Sequence, residues 1–238
     1  MTPLKIALVP GERPALPARH KSVTRFALLL AVVPLFAADE KLDPELKAFL
    51  QQMENRYNRT MTLQVTFEES YVGSGRPRRS EAGELSLRKP GRMRWEYTQP
   101  AGKLFLSDGK LIYYYNPISK RAEKMKLKES EDMRAPLAFL LGKLDFDKDF
   151  TDFKLKNENG NHLVIAKPKS DKLPYKQVEF TVTSLGEIKQ LIVSGEDDAV
   201  LIFRFSNERI NPALNEQLFQ FQLPEGATWL EASTAEGK

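Results

Sequence analysis

The stretch WEYTQPAGKLFLSDGKLIYYYNP, residues 95–117, reads as strand, turn and strand, and it ends in three consecutive tyrosines, Tyr113, Tyr114 and Tyr115. Successive side chains of a strand point to opposite faces, so three aromatics in a row demand cover on both sides of the sheet. The turn Ser107-Asp108-Gly109-Lys110 lies between two alternating runs. Asp-Gly there predicts a type I′ hairpin, in which both central residues take positive φ.

Outward from this hairpin the same period of two recurs. Leu63, Val65 and Phe67 alternate with polar residues, as do Leu85 and Leu87, and then Met93, Trp95 and Tyr97. Leu104 and Leu106 extend the pattern, followed by Leu111, Tyr113 and Tyr115. Further strands are expected over residues 153–156, 162–166, 177–183, 187–193 and 200–205. Short strands in succession, without a βαβ rhythm, predict a mainly β protein built on one large antiparallel sheet.

Two segments break this rhythm. In DPELKAFLQQMENRY, Asp43 suits an N-cap and Pro44 a first helical turn, while Leu46, Phe49, Leu50 and Met53 share one helical face. In MRAPLAFLLGKL, Pro136 again suits a first turn, and Leu137, Leu140, Leu141 and Leu144 recur at helical spacing with Phe139 off the stripe. A helix apolar over that much of its circumference needs cover on more than one side.

The N-terminus reads as an export signal. Basic Lys21 and Arg25 precede an apolar run over residues 26–36, too short to span a bilayer, and Ala37 and Ala38 suit cleavage. The expected organisation is a removed leader, 1–38, and one domain, 39–238, in the periplasm. The whole chain carries a formal charge of +4. The leader accounts for that excess, since Lys5, Arg13, Arg19, Lys21 and Arg25 stand against Glu12 alone. The remainder is neutral, so nucleic acid and anionic membrane are not expected partners. The basic residues Arg76, Arg78, Arg79, Arg88, Lys89, Arg92 and Arg94 form a local stripe, and alternation with Met93 and Trp95 predicts a solvated outer face for it. With no cysteine the chain has no disulfide and no site for lipidation of its own, so core packing must stabilise it.

Residues suited to catalysis are sparse. His162 stands inside a strand run, Gly73-Ser74-Gly75 lacks the third glycine of a dinucleotide loop, and Asp145, Asp147 and Asp149 lack the glycine and glutamate of a calcium loop, leaving a solvated acidic loop. No catalytic residue, metal or cofactor is expected, and the chain reads as a binding protein.

The runs GELSLRKPGRMRWEYTQP, LFLSDGKLIYYYNP, APLAFLLGK and LFQFQLPEGATWLE, in that order, resemble the LolA family, periplasmic carriers of outer-membrane lipoproteins. Lys-Pro with Trp five residues later, Thr-Gln-Pro, Ser-Asp-Gly-Lys, Tyr-Asn-Pro and Phe-x-x-Pro-x-Gly together carry the resemblance. It implies an incomplete antiparallel β-barrel, with helices forming a lid over an apolar cavity that holds acyl chains. It also implies acylated lipoproteins as cargo, an inner-membrane lipoprotein-releasing ABC transporter as donor, an outer-membrane lipoprotein as acceptor, and a monomer that is not membrane-embedded. The cavity and lid would involve Leu50, Met93, Trp95, Pro136, Leu137, Phe139 and Leu140. The family places arginine before the proline of an Arg-Pro strand end, where it latches the lid. Here that position is Lys89, with Arg88 before it, and lysine lacks the planar fork. Two alternatives share the half-barrel: an RseB-like sensor of lipid or lipoprotein, and an enzyme enclosing a small apolar molecule. Strand parity alone leaves open which set of side chains faces the cavity, and a flat packed core would show the same alternation.

Overall fold

A computed structural model describes residues 42–73, 79–127, 144–171 and 173–230. All fall within one compact unit, Lys41–Lys238. The expected leader, the loop residues Ser74 and Gly75, and the apolar segment 136–141 lie outside the described residues. Among the described residues no helix is long and apolar enough to cross a membrane.

The first element is the helix α1 (Pro44–Asn58). The Asp43 side chain accepts a hydrogen bond from the Glu45 amide at 3.1 Å, and Pro44 opens the first turn. Leu46, Phe49, Leu50, Met53 and Tyr57 form its buried stripe. Then come the strands β1 (Thr62–Val72), β2 (Arg79–Arg88), β3 (Arg92–Gln99), β4 (Ala101–Asp108), β5 (Leu111–Asn116) and β6 (Arg121–Lys126). A short helix α2 (Phe146–Asp149) precedes β7 (Phe150–Glu158), β8 (Asn161–Pro168), β9 (Tyr175–Val182), β10 (Ile188–Gly195) and β11 (Val200–Ile210), and a two-residue strand β12 (Thr228–Trp229) closes the series.

All twelve strands join one curved, unclosed sheet in the order β12-β6-β5-β4-β3-β2-β1-β11-β10-β9-β8-β7. Neighbours are antiparallel except β12, which runs parallel to β6. The central registers set the faces. Leu85 lies opposite Trp95, Trp95 opposite Phe105, and Phe105 opposite Tyr114, so these four share the inner face, which packs against α1. On the same face Gly83 lies between Phe67 and Tyr97. A Cβ there would come within 2.1 Å of the Glu96 carbonyl oxygen, so the bulge at this point requires glycine. The Phe67 and Tyr97 rings meet edge to face over it, centroids 5.1 Å apart.

The apolar alternation does not keep phase from β3 into β4. Leu104, Leu106, Tyr113 and Tyr115 lie on the outer face, opposite Met93, Trp95 and Tyr97. Leu106 is nonetheless fully buried. The cover is residues 213–230, which cross the outer face as a strap with a 3-10 turn at Glu216–Phe219. Phe221 stacks on Tyr113 at 4.8 Å and 2°, and Trp229 lies 5.5 Å from Phe221. Thus Tyr113 and Tyr115 face the strap while Tyr114 packs on the inner core. The Tyr113 hydroxyl donates to Asp108 at 3.1 Å.

Three further expectations change. The turn after β4 has positive φ at Gly109 alone, +98°, with Gly109-Lys110 as its central pair. That is the type II′ pattern rather than type I′. It forms because the Asp108 carboxylate accepts from the Lys110 and Leu111 amides, both at 2.8 Å. Burial opposes ionisation of Asp108, but those amides and the Tyr113 hydroxyl outweigh it and hold the carboxyl below its usual range. Of the basic stripe, Arg88, Arg92 and Arg94 lie on the outer face but are engaged rather than merely solvated, Lys89 turns to the inner side, and Arg76 and Arg78 lie outside the described residues. Arg88 donates to the Leu214 carbonyl at 2.8 Å and pairs with Glu216 at 3.0 Å, Arg92 pairs with Glu216 at 3.8 Å, and Arg94 donates to the Leu218 carbonyl at 3.3 Å. The acidic segment is a capped helical turn and not a loop: Asp145 accepts from the Lys148 amide at 3.1 Å, and Phe146 is 1 % exposed.

Because Phe219 is 2 % exposed beneath the strap, Phe219→Ala should destabilise the whole domain by about 3 kcal/mol. Urea denaturation followed by circular dichroism would read this as a lowered midpoint with unchanged slope. An unshifted midpoint would make the strap an independently fraying tail.

Candidate functional site

The inner face is a continuous apolar floor. Phe67, Leu85, Trp95, Phe180, Leu191 and Phe203 are each at most 1 % exposed, and they form one core cluster with the α1 stripe. Leu50 and Met93, expected at the site, belong to that cluster. The remaining expected cover residues, Pro136, Leu137, Phe139 and Leu140, lie outside the described residues. Two described voids beside Tyr57 measure ≈ 20 and ≈ 10 Å³, about one water or less each. Among the described residues, side chains fill the floor beside Tyr57.

Polar bonds concentrate at the C-terminal end of α1. Arg56 pairs with Glu208 on β11, whose other oxygen accepts from the Tyr57 hydroxyl at 3.0 Å. That hydroxyl in turn accepts from the Ile188 amide at 2.9 Å. Burial, followed by the Glu208 charge, pushes the Tyr57 phenol far above its usual range, so it stays protonated and donates. Burial opposes charge on Arg56, but the hydrogen bond and charge of Glu208 outweigh it and raise its pKa. Asn58 exchanges two bonds with the Leu144 backbone, at 2.8 and 2.7 Å, and Glu54 accepts from the Phe146 amide at 2.7 Å. The helix therefore holds the chain where it re-enters the described fold. By contrast, among the described residues no polar side-chain bond ties residues 44–51 to the sheet. There Phe49 rests on the His162 ring at 4.3 Å.

Lys89 and Arg88 diverge, as strand alternation requires. Lys89 reaches the inner side and donates at 2.8 Å to the Tyr57 carbonyl in the last turn of α1, which also accepts from the Thr60 amide at 3.2 Å. Burial lowers its pKa. Arg88 reaches the strap on the other face. The structure therefore places Lys89, and not Arg88, at the covering helix.

The floor ends in a polar rim. Glu69 and Glu81 lie directly opposite each other on β1 and β2, an arrangement of like charges that destabilises a sheet unless bridged. Lys103 pairs with Glu81 and holds its ammonium 4.2 Å from the Tyr97 ring centre, while the Tyr97 hydroxyl donates to Glu69 at 3.0 Å. One further feature had no sequence signal. The Trp95 indole nitrogen is buried without a hydrogen-bond partner among the described residues, an arrangement that costs about 1–3 kcal/mol.

The outer face holds an open cleft of ≈ 490 Å³ between β3–β4 and the strap, lined by Arg94, Glu96 and the amides of Gln217, Gln220 and Gln222 among others. Its lining mixes these polar groups with Leu104, Tyr115, Leu218 and Pro224. Among the described residues no group of three or more His, Asp or Glu could hold a metal ion.

Tyr57→Phe deletes one hydroxyl from the α1 anchor and strands the Ile188 N–H. It should lower stability by about 1–3 kcal/mol and speed hydrogen exchange at the Ile188 amide relative to Val193. Unchanged protection of Ile188 would remove Tyr57 from the anchor.

The chain is 28 % identical over 201 residues to the outer-membrane lipoprotein carrier protein of Bordetella avium, covering 83 % of this chain and 91 % of that protein. It is 26 % identical over 206 residues to the protein of the same description from Nitrosomonas europaea, covering 84 % and 95 %. A solved LolA superfamily protein from Nitrosomonas europaea superposes with a TM-score of 0.43 at 9 % identity, covering 74 % of this chain and 97 % of that one. The family model described as outer membrane lipoprotein carrier protein LolA matches residues 58–222, from the end of α1 into the strap, and the chain belongs to that family.

Proposed function

We propose that this chain is a non-enzymatic carrier that takes acylated lipoproteins through the periplasm to the outer membrane, sheltering their acyl chains on the inner face of the sheet. The observation that carries this reading is the apolar floor covered by a helix anchored at one end. An acyl chain of about a dozen methylenes represents roughly 10 kcal/mol of hydrophobic free energy at ~0.8 kcal/mol per CH₂, too much to leave a membrane without cover. Leu46, Phe49, Leu50 and Met53 together represent roughly 6–12 kcal/mol of burial at ~1.5–3 kcal/mol each. The two quantities are of the same size. Exchanging helix for acyl chain is then close to balanced, as loading and release both require.

In this proposal α1 swings from its anchored C-terminal end, and the apolar segment 136–141, with Leu137, Phe139 and Leu140, shares the cover. Lys89 restrains the hinge itself through the Tyr57 carbonyl, and so acts as the latch on how readily the helix swings. The donor is an inner-membrane lipoprotein-releasing ABC transporter, the acceptor an outer-membrane lipoprotein, and the carrier acts as a monomer.

The reading is tested by adding residues 39–238 to spheroplasts that bear an acyl-radiolabelled lipoprotein and an intact release system. A soluble one-to-one complex containing the label is expected, and label confined to the membrane contradicts the carrier. The latch has its own test in the exchange of a fluorescent fatty acid. Lys89→Arg should slow exchange and Lys89→Leu speed it, each by about fivefold, the worth of one modest hydrogen bond. Equal rates in all three proteins would dismiss the latch.

A further inference from the structure

Trp95 is 1 % exposed, and among the described residues its indole N–H has no hydrogen-bond acceptor. The ring packs against Phe67 at 4.8 Å and Phe203 at 5.4 Å, both purely hydrocarbon. Phenylalanine at this position would supply aromatic burial without an orphan donor, so the indole nitrogen is a cost of the covered state that packing does not explain. Its position along the strand is informative. Two residues further, roughly 7 Å along β3, Tyr97 reaches the polar rim through Glu69. Trp95 thus lies just inside the boundary between apolar floor and polar rim. A chain lying on the floor with its head at the rim would carry its first polar atom to that depth. For any acyl chain joined through an ester or an amide, that atom is the carbonyl oxygen, an acceptor.

We infer that the Trp95 indole N–H is the recognition point for the acyl carbonyl of the cargo, unpaired in the unloaded floor and satisfied when an acyl chain lies on it. This rests on the carrier reading. It adds selectivity to a face that would otherwise take any hydrocarbon, because a chain without a carbonyl leaves the donor unpaired. It also favours the loaded state over the covered one, since only loading supplies the acceptor.

Three synthetic lipopeptides of equal chain length test this by calorimetric titration of residues 39–238: one with two ester-linked chains, one with both chains ether-linked, and one ether-linked with an added amide-linked chain. The ester probe should bind about tenfold tighter than the ether probe, the worth of one buried hydrogen bond. Trp95→Phe should bring that ratio close to one, mainly by weakening ester binding. A preference restored by the amide chain assigns the amide carbonyl as well, and its absence assigns the ester alone. Trp229→Phe leaves Trp95 as the only tryptophan and keeps the native floor. Its emission should move to the red with the ester probe and not with the ether probe. Equal ester and ether affinities in the unaltered protein, or an ester preference that survives Trp95→Phe, would overturn the inference and leave the carrier intact. Failure to bind any of the three would overturn both.

Discussion

The constraint on which the structure depends is that twelve strands in one unclosed sheet leave an apolar inner face that strand pairing cannot cover. Something must lie on it. In a closed small barrel the opposite wall would do so, whereas here a helix of fifteen residues does part of that work. The cover is therefore a separate element whose removal breaks no sheet hydrogen bond. That separation distinguishes a face able to change occupants from a permanent core.

The two faces of the sheet are treated differently. The outer face over β3–β6 is closed by residues 213–230 through stacked rings and three arginines that grip its backbone or Glu216. Bonds of this kind are spread along the strap. On the inner side, the polar bonds of α1 run from Gln52 to Asn58, and among the described residues none ties residues 44–51 to the sheet. A helix so attached has one fixed end and one end whose attachment has no preferred partner beyond hydrocarbon. Acyl chains offer that same chemistry.

Much of this was legible in the sequence. Asp43 and Pro44 marked the start of α1, its stripe at 46, 49, 50 and 53 marked its buried side, and alternation marked most of the sheet. The strands run longer than their apolar cores suggested, Phe150–Glu158 against 153–156 for example, because backbone pairing continues where side chains are exposed. The phase slip into β4 was not legible. Leu104 and Leu106 look like floor residues, and only pairing register shows them facing outward. The strap carries one of the family's runs, but its seat was hidden, since the stacking of Phe221 on Tyr113 joins residues more than a hundred positions apart. The Arg56–Tyr57–Glu208 anchor and the unpaired Trp95 nitrogen were hidden for the same reason: a sequence names donors and acceptors without saying which meet. Lys89 was placed by family resemblance, and strand alternation separated it from Arg88.

The central claim is that α1 and the acyl chains of the cargo occupy the same floor in turn. Hydrogen exchange along α1, measured with and without a saturating diacylated lipopeptide, tests it directly. The account predicts faster exchange at residues 46–50 in the loaded protein, with residues 56–58 and the strands of the floor as protected as before. Equal protection of 46–50 in both states, with the lipopeptide bound, would mean that the helix never leaves, and the account would be wrong.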